Sequence, residues 1–109
     1  MTYVYPTSLI DPPEDEQVST HEVFGPVVCV YCYDDEKSAV DQANALPVAF
    51  QAAVFTTNVD RAIRLSHLLD ASAAMINEHT AFRDDVTPFA GSRESGLGIG
   101  GIPYTIDDM

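Results

Sequence analysis

Basic residues are scarce in this sequence of 109 residues, which has five lysines and arginines against 17 aspartates and glutamates, for a formal charge of −12. The first 36 residues contain no lysine or arginine. The five cations stand apart from one another, as Lys37, Arg61, Arg64, Arg83 and Arg93. Nucleic acids and anionic membrane surfaces both require a basic cluster on the protein that binds them. The composition therefore excludes both partners and indicates a solvated acidic surface.

Long apolar runs are absent as well. The longest, Val27–Tyr33, is far shorter than the stretch of about 20 residues that spans a bilayer as a helix. The N-terminal residues show neither the basic stretch nor the sustained apolar stretch of a secretory signal, so we expect a cytoplasmic protein. The length and the 46% hydrophobic content predict a single globular domain over residues 1–109.

Cysteine is limited to Cys29 and Cys32, which form a C-x-x-C pair. A redox pair of this kind needs its first thiol at a helix N-terminus, whereas these residues lie in a predicted strand. Residues three apart in a strand point to opposite faces, so we expect the thiols not to meet and to be structural. One pair supplies only half of a zinc site, and the three histidines have no ligand-like spacing, so we predict no metal site.

The hydrophobic pattern predicts an α/β fold in which strands and helices alternate. Its elements are an edge strand Tyr3–Ile10, a strand Val27–Tyr33 covered on both faces, a helix from Asp34 or Asp35 to about Leu46, a strand Gln51–Thr56, a helix Val59–Leu69 capped by Thr57 or Asn58, and a strand Ala73–Asn77. Ala62, Ile63, Ser66 and Leu69 are expected on the buried face of the second helix. This order indicates a small open, mostly parallel sheet with two crossover helices over residues 1–77.

Residues 78–109 are predicted to form a long glycine-rich loop and tail. The segment Gly96–Gly101 matches G-x-G-x-x-G, but that fingerprint binds a dinucleotide only between a strand and a helix. Here a loop is predicted before it and Pro103 follows, so we interpret the match as accidental. The spacing from Gly91 to Gly96 lacks the Gly-Lys-Ser/Thr that would complete a phosphate-binding loop.

Several short motifs nevertheless resemble the NAD(P)-dependent aldehyde dehydrogenase superfamily. Glu22–Val27 (EVFGPV) resembles the family motif E-[IV]-F-G-P-V, and Pro88–Gly96 (PFAGSRESG) resembles P-F-G-G-x-K-x-S-G. Further matches follow in the family's order, at Pro6-Thr7, Val54–Thr56, Arg61-Ala62 and Ile76-Asn77. The resemblance covers almost the whole chain. It departs from the pattern at His21, Ala90 and Arg93, where the family often has glutamate, glycine and lysine.

The resemblance implies roles for four residues. Glu22 matches the glutamate that accepts hydrogen bonds from the nicotinamide ribose, and Phe24 matches the aromatic residue beside the nicotinamide. Phe89 matches an aromatic residue of the substrate tunnel, whose mouth the loop Glu78–Thr87 would shape. Arg83 in that loop is a candidate for binding an anionic group of the substrate. The alternatives are a surface acid for Glu22, core packing for both phenylalanines, and an ion pair of Arg83 with Asp84 or Asp85.

The resemblance reaches only the C-terminal part of the family's catalytic domain. No G-Q-x-C segment supplies a nucleophile and no E-x-G-G segment supplies a base, so we expect no catalytic residue in this chain. NAD or NADP serves the full-length family, and we expect neither to bind this chain alone. Three interpretations remain open: a fragment of an aldehyde dehydrogenase, a non-catalytic interaction module, or one half of a split enzyme. We expect a homodimer or higher oligomer, or a complementary aldehyde dehydrogenase chain as partner.

Overall fold

The computed structural model describes residues 3–109, which form two compact units that divide between Glu36 and Lys37. The first unit contains β1 (Thr7–Ile10), α1 (Gln17–Thr20) and β2 (Val27–Val30). Helix α2 (Glu36–Asn44) begins at the last residue of the first unit, and its other residues belong to the second. The second unit also contains β3 (Val48–Ala49), β4 (Gln51–Val54), α3 (Val59–Leu68), β5 (Ala73–Ile76), β6 (Phe89–Ala90), β7 (Ser92–Arg93), β8 (Ile99–Gly100) and α4 (Ile102–Asp107). Within residues 3–109, no helix is both long and apolar enough to cross a membrane.

In the first unit, β1 and β2 pair in parallel, with Thr7 opposite Val27 and Ile10 opposite Val30. One face of this pair is half-buried beneath α1, since the Cys29 thiol lies 3.6 Å from the carbonyl oxygen of Val18. On the other face Val28 and Val30 remain 59% and 40% exposed. The prediction that β2 is covered on both faces is therefore wrong for this chain, because within residues 3–36 the only helix lies against one side.

In the second unit, β4 and β5 pair in parallel, and α3, which joins them in sequence, packs against both. The buried core of the described residues consists of Val40, Val54, Ala62 and Leu65. Asn58, one of the two predicted caps, begins α3 by accepting a hydrogen bond from the Arg61 amide at 2.8 Å. The predicted helix face needs one correction. Leu65 is buried and Ile63 is 49% exposed, because the strands contact the side of the helix that repeats at 58, 62, 65 and 69.

The described strands form four separate two-stranded sheets rather than the single open sheet that the alternating pattern predicts. The two pairs of four-residue strands, β1 with β2 and β4 with β5, are parallel. The two-residue pairs, β3 with β7 and β6 with β8, are antiparallel. An apolar run indicates that a strand has a face to bury, but it contains no information about which strand supplies its hydrogen bonds. The hydrophobic pattern therefore predicts where the longer strands lie but not which strands pair with each other.

Residues 78–109 also contain more regular structure than the predicted loop and tail. They include β6, β7, β8 and the helix α4. Two-residue strands are too short to show any periodicity, which is why the sequence pattern misses them. Pro103 lies in the first turn of α4, where a proline is tolerated because the N–H groups of that turn have no partner within the helix.

Candidate functional site

The motif Glu22–Val27 folds as two consecutive tight turns between α1 and β2. The Gly25 amide donates to the carbonyl oxygen of Val23 at 2.6 Å, and the Val27 amide donates to that of Gly25 at 2.8 Å. Each bond closes a three-residue γ-turn, the first centred on Phe24 and the second on Pro26. A proline suits such a turn because its ring already fixes φ near the required value. The turns project Phe24 outward, and its side chain is 94% exposed.

Glu22 precedes these turns and is exposed. Within residues 3–109 its carboxylate has no hydrogen-bond or ion-pair partner, so both oxygens are available as acceptors. The alternative interpretation of Phe24 as a core residue is wrong in the described structure. Glu22 remains compatible both with a surface acid and with a ligand-binding carboxylate.

The second unit brings Phe89 and Arg83 together. The Arg83 guanidinium carbon lies 4.0 Å from the centroid of the Phe89 ring, and this ring meets Phe50 edge to face at 4.7 Å and 79°. The same guanidinium lies 5.7 Å from the Phe50 centroid. We call Arg83, Phe50 and Phe89 the aromatic–arginine cluster. Its two rings are 36% and 40% exposed, so Phe89 is not a core residue either.

Arg83 forms no ion pair with its acidic neighbours in the described part of the chain. The carboxylate of Asp84 instead accepts the Val86 amide at 2.9 Å, and the carbonyl oxygen of Asp85 accepts the Ile102 amide at 3.4 Å. The Arg83 guanidinium donates only to the carbonyl oxygen of Phe82, at 3.3 Å. The alternative of an Arg83–Asp84 or Arg83–Asp85 pair is therefore wrong, and most of the guanidinium's donors face solvent.

Pairing of β3 with β7 explains how the cluster assembles. Val48 lies opposite Arg93 and Ala49 opposite Ser92, which brings the residue after β3, Phe50, to the segment that follows Phe89. The Ser95 hydroxyl also accepts the Ala49 amide at 3.0 Å. Gly91 makes the turn possible, because a Cβ there would lie 2.7 Å from the carbonyl oxygen of Ser95. Gly91 and Ser95 of PFAGSRESG thus have structural roles.

Sequence reasoning missed the contribution of Phe50 and used Asn77 only as a landmark. Asn77 has a φ of 55°, in the left-handed region that asparagine tolerates better than most residues. Its side-chain oxygen accepts the Thr56 amide at 2.8 Å, and its side-chain nitrogen donates to the Thr56 carbonyl at 2.9 Å. The ends of the Val54–Thr56 and Ile76-Asn77 motifs are therefore bound to each other. No local pattern indicates Phe50, whose partners are distant in sequence.

Metal-ligating side chains are not clustered in the described residues. Over residues 3–109, no group of three or more histidines, cysteines, aspartates or glutamates is arranged to hold a metal ion. Cys29 and Cys32 are both free thiols. The predicted site residues thus lie in two places, the exposed Glu22–Phe24 turn in the first unit and the aromatic–arginine cluster in the second.

Comparison with known proteins identifies the family. The sequence profile of the aldehyde dehydrogenase family matches residues 2–109. This chain belongs to the aldehyde dehydrogenase family. A lactaldehyde dehydrogenase of Methanococcus maripaludis is 36% identical over 102 residues, and a betaine aldehyde dehydrogenase of Sinorhizobium fredii is 38% identical over 97 residues. These matches cover 94% and 89% of this chain but only 22% and 20% of the relatives.

Solved structures of aldehyde dehydrogenases have the same fold over this length. Aldehyde dehydrogenase 21 of Physcomitrella patens, in complex with the reaction product succinate, matches with a TM-score of 0.91 and 32% identity. The NAD+ complex of a Bacillus cereus aldehyde dehydrogenase matches with a TM-score of 0.91 and 29% identity. The matches cover 98% and 97% of this chain, and 22% and 21% of those chains. The chain thus spans about a fifth of the length of these relatives.

Proposed function

We propose that this chain contributes the cofactor-ribose carboxylate and one wall of the substrate pocket to NAD(P)-dependent aldehyde oxidation. The observation that carries the proposal is the exposed aromatic–arginine cluster, in which Phe89 matches an aromatic residue of the family's substrate tunnel and Arg83 lies in the loop expected at its mouth. An arginine held over a ring with most of its donors free is suited to binding a ligand, since it fulfils no packing role that requires burial. The chain belongs to an oxidoreductase family, which supports this assignment.

The cofactor contact is proposed for Glu22 and Phe24. A carboxylate presents two acceptor oxygens to a vicinal diol, and that of Glu22 has no partner in residues 3–109. The 94% exposed ring of Phe24 is free to lie against a planar nicotinamide. The residues present therefore fit the ribose and nicotinamide of NAD or NADP. The cofactor, when bound, would accept the hydride, while Glu22 and Phe24 would orient it.

The substrate contact is proposed for Arg83 and Phe89. A guanidinium binds carboxylates through two parallel hydrogen bonds, and that of Arg83 lies over the Phe89 ring, with its carbon 4.0 Å from the centroid. We therefore propose aldehydes that carry an anionic group. The succinate bound to the Physcomitrella patens relative, a product with a second carboxylate, agrees with this proposal.

The isolated chain is proposed to be inactive. It contains neither a G-Q-x-C nor an E-x-G-G segment, so a nucleophile and a general base are not supplied by the motifs that supply them in the family. Purified chain should show no NAD-dependent or NADP-dependent oxidation of any aldehyde, and no heat of NAD binding in calorimetry. Turnover by the purified chain would contradict this part of the proposal.

A graft tests the contributing residues. The matching segment of the Methanococcus maripaludis lactaldehyde dehydrogenase would be replaced by this chain, and the cofactor KM measured for Glu22→Gln and for the surface control Asp15→Asn. Loss of a charge-assisted hydrogen bond should raise the cofactor KM about tenfold or more in Glu22→Gln only. Arg83→Gln should instead raise the KM for an anionic aldehyde and leave that for an uncharged one unchanged. Equal KM values in Glu22→Gln and Asp15→Asn would refute the cofactor role, and equal effects on both aldehydes would refute the substrate role.

A second candidate function is association, which the exposed face of the β1–β2 sheet favours. Ile10, Val28 and Val30 lie on that face and are 65%, 59% and 40% exposed. Exposed apolar strands tend to be covered by another chain. We propose either self-association or pairing with a complementary aldehyde dehydrogenase chain, as a split enzyme would require. Light scattering across a concentration series tests self-association, and a monomer at every concentration would leave only the complementary chain.

A further inference from the structure

Three carbonyl oxygens at the end of α2 and in the segments just after α2 and α3 face the Arg93 side chain. Asn44 is the last residue of α2, so its carbonyl lacks a partner within the helix, whereas Leu46 and Asp70 lie two residues beyond the ends of α2 and α3. One guanidinium nitrogen of Arg93 donates to the carbonyl oxygen of Asn44 at 2.9 Å and also to that of Leu46. The other donates to the carbonyl oxygen of Asp70 at 3.0 Å and lies 3.1 Å from its carboxylate.

This arrangement uses the planar fork of arginine. A guanidinium carries donors in fixed directions, whereas an ammonium is a single point from which several separated acceptors cannot all be reached. The Arg93 side chain is only 26% exposed, although the carboxylate of Asp70 is in a side chain that is 65% exposed. The hydrogen bonds to the carbonyls, rather than the ion pair, are therefore the main contribution of Arg93.

The backbone at Arg93 depends on these bonds. Its φ of 56° is in the left-handed region, which is unfavourable for a residue with a long side chain. Such a conformation persists only where the surroundings hold it. Three sets of contacts hold the backbone of Arg93 in this conformation. They are the two-residue β3–β7 pair, the hydrogen bond from the Glu94 amide to the carbonyl oxygen of Pro47 at 3.0 Å, and the hydrogen bonds of the Arg93 guanidinium.

Phe89 is connected to Arg93 by a short, tightly packed turn. Gly91 lies against the carbonyl oxygen of Ser95 so closely that no side chain fits between them. The strand that contains Phe89 is only two residues long, so its own pairing with β8 holds the ring weakly. A shift of Arg93 is therefore transmitted to Phe89 and to its edge-to-face contact with Phe50.

From this geometry we infer that Arg93 is the positioning residue of the aromatic–arginine cluster: its guanidinium, bound to the carbonyls of Asn44, Leu46 and Asp70, holds Phe89 against Phe50. The inference rests on the proposed function only in that the cluster is proposed to bind the substrate. The juxtaposition itself is a property of this chain and can be measured without cofactor or substrate.

Fluorine NMR of the full chain labelled with fluorophenylalanine provides the test. The sequence contains five phenylalanines, so five signals are expected, and each is assigned by a Phe→Leu variant. In Arg93→Ala we expect the signals of Phe89 and Phe50 to move by more than their linewidth and to broaden, while that of Phe24 stays in place. Added guanidinium ion at low millimolar concentration should return both signals toward their wild-type positions, and tetramethylammonium should not.

Asn58→Ala is the matched control, because it removes the cap of α3 and destabilises the same unit without removing any hydrogen bond of Arg93. It should leave the Phe89 and Phe50 signals unchanged. Arg93→Lys retains the positive charge but lacks the planar guanidinium, so its Phe89 and Phe50 signals should lie between those of the wild type and Arg93→Ala. This variant also provides a measurement if Arg93→Ala does not fold. Wild-type Phe89 and Phe50 signals in Arg93→Ala or Arg93→Lys, or equal shifts in Asn58→Ala, would overturn the inference. A failure of the graft experiment would refute the proposed function and leave this result standing.

Discussion

Asn77 provides a sharp test of how the two strand ends of the second unit are joined. Replacing it with alanine removes two side-chain hydrogen bonds to Thr56, of 2.8 and 2.9 Å, and leaves a residue at φ 55° that disfavours this conformation. Two exposed hydrogen bonds contribute about 1–2 kcal/mol together, at the lower end of the range for such bonds. The left-handed conformation costs alanine about a further 1 kcal/mol. We expect Asn77→Ala to lower the free energy of unfolding by about 2–3 kcal/mol.

Glycine separates the two contributions. Asn77→Gly loses the same two hydrogen bonds but adopts a positive φ without strain. Its more flexible unfolded state offsets part of that advantage, so we expect Asn77→Gly to be more stable than Asn77→Ala by about 0.5–1 kcal/mol. Urea unfolding followed by circular dichroism measures both differences, and unchanged m-values would show that the unfolded states are comparable.

Hydrogen exchange gives a local readout of the same prediction. The Thr56 amide donates to the Asn77 side chain, so its protection should fall in both variants. The Asn77 amide donates to the carbonyl oxygen of Val54 at 2.8 Å through the backbone and should stay protected in Asn77→Gly. Unchanged exchange at Thr56, or a glycine variant no more stable than the alanine variant, would refute this account of Asn77.

Two further predictions concern the turn at Gly91 and the exposed strand face. Gly91→Ala should destabilise the second unit by about 1–3 kcal/mol in urea unfolding, because its Cβ would overlap the carbonyl oxygen of Ser95. The control is Gly25→Ala, whose Cβ meets only a side-chain carbon at 3.9 Å and which should change stability by less than about 0.5 kcal/mol. Equal losses would contradict the close approach at Gly91. Val28→Thr should weaken self-association in light scattering, and added salt should strengthen that of the wild type, because each copy carries a charge of −12. Association that Val28→Thr does not change would assign the interface to another surface.

The elements that sequence reasoning located correctly are those with strong local signals. The apolar runs at β2, β4 and β5 and the periodic pattern of α3 each predict an element within a few residues of its observed bounds. The Asn58 cap is similarly local, since its partner is the amide three residues ahead. The two-residue strands carry no such signal. Glu22, Phe24 and Phe89 came from motif resemblance and Arg83 from guanidinium chemistry in the adjacent loop, and the roles of all four remain predictions.

The sequence by itself determined the family and the order of the principal elements, because motifs and periodicity are properties of neighbouring residues. Only the tertiary structure decided which strands pair, that Phe50 joins Phe89 and Arg83, and that Arg93 binds carbonyls at the end of α2 and just after α2 and α3. Arg93 lies 49 residues from Asn44, and Ser95 lies 46 residues from Ala49. Contacts over such separations depend on where the folded chain returns, and no local pattern records that position.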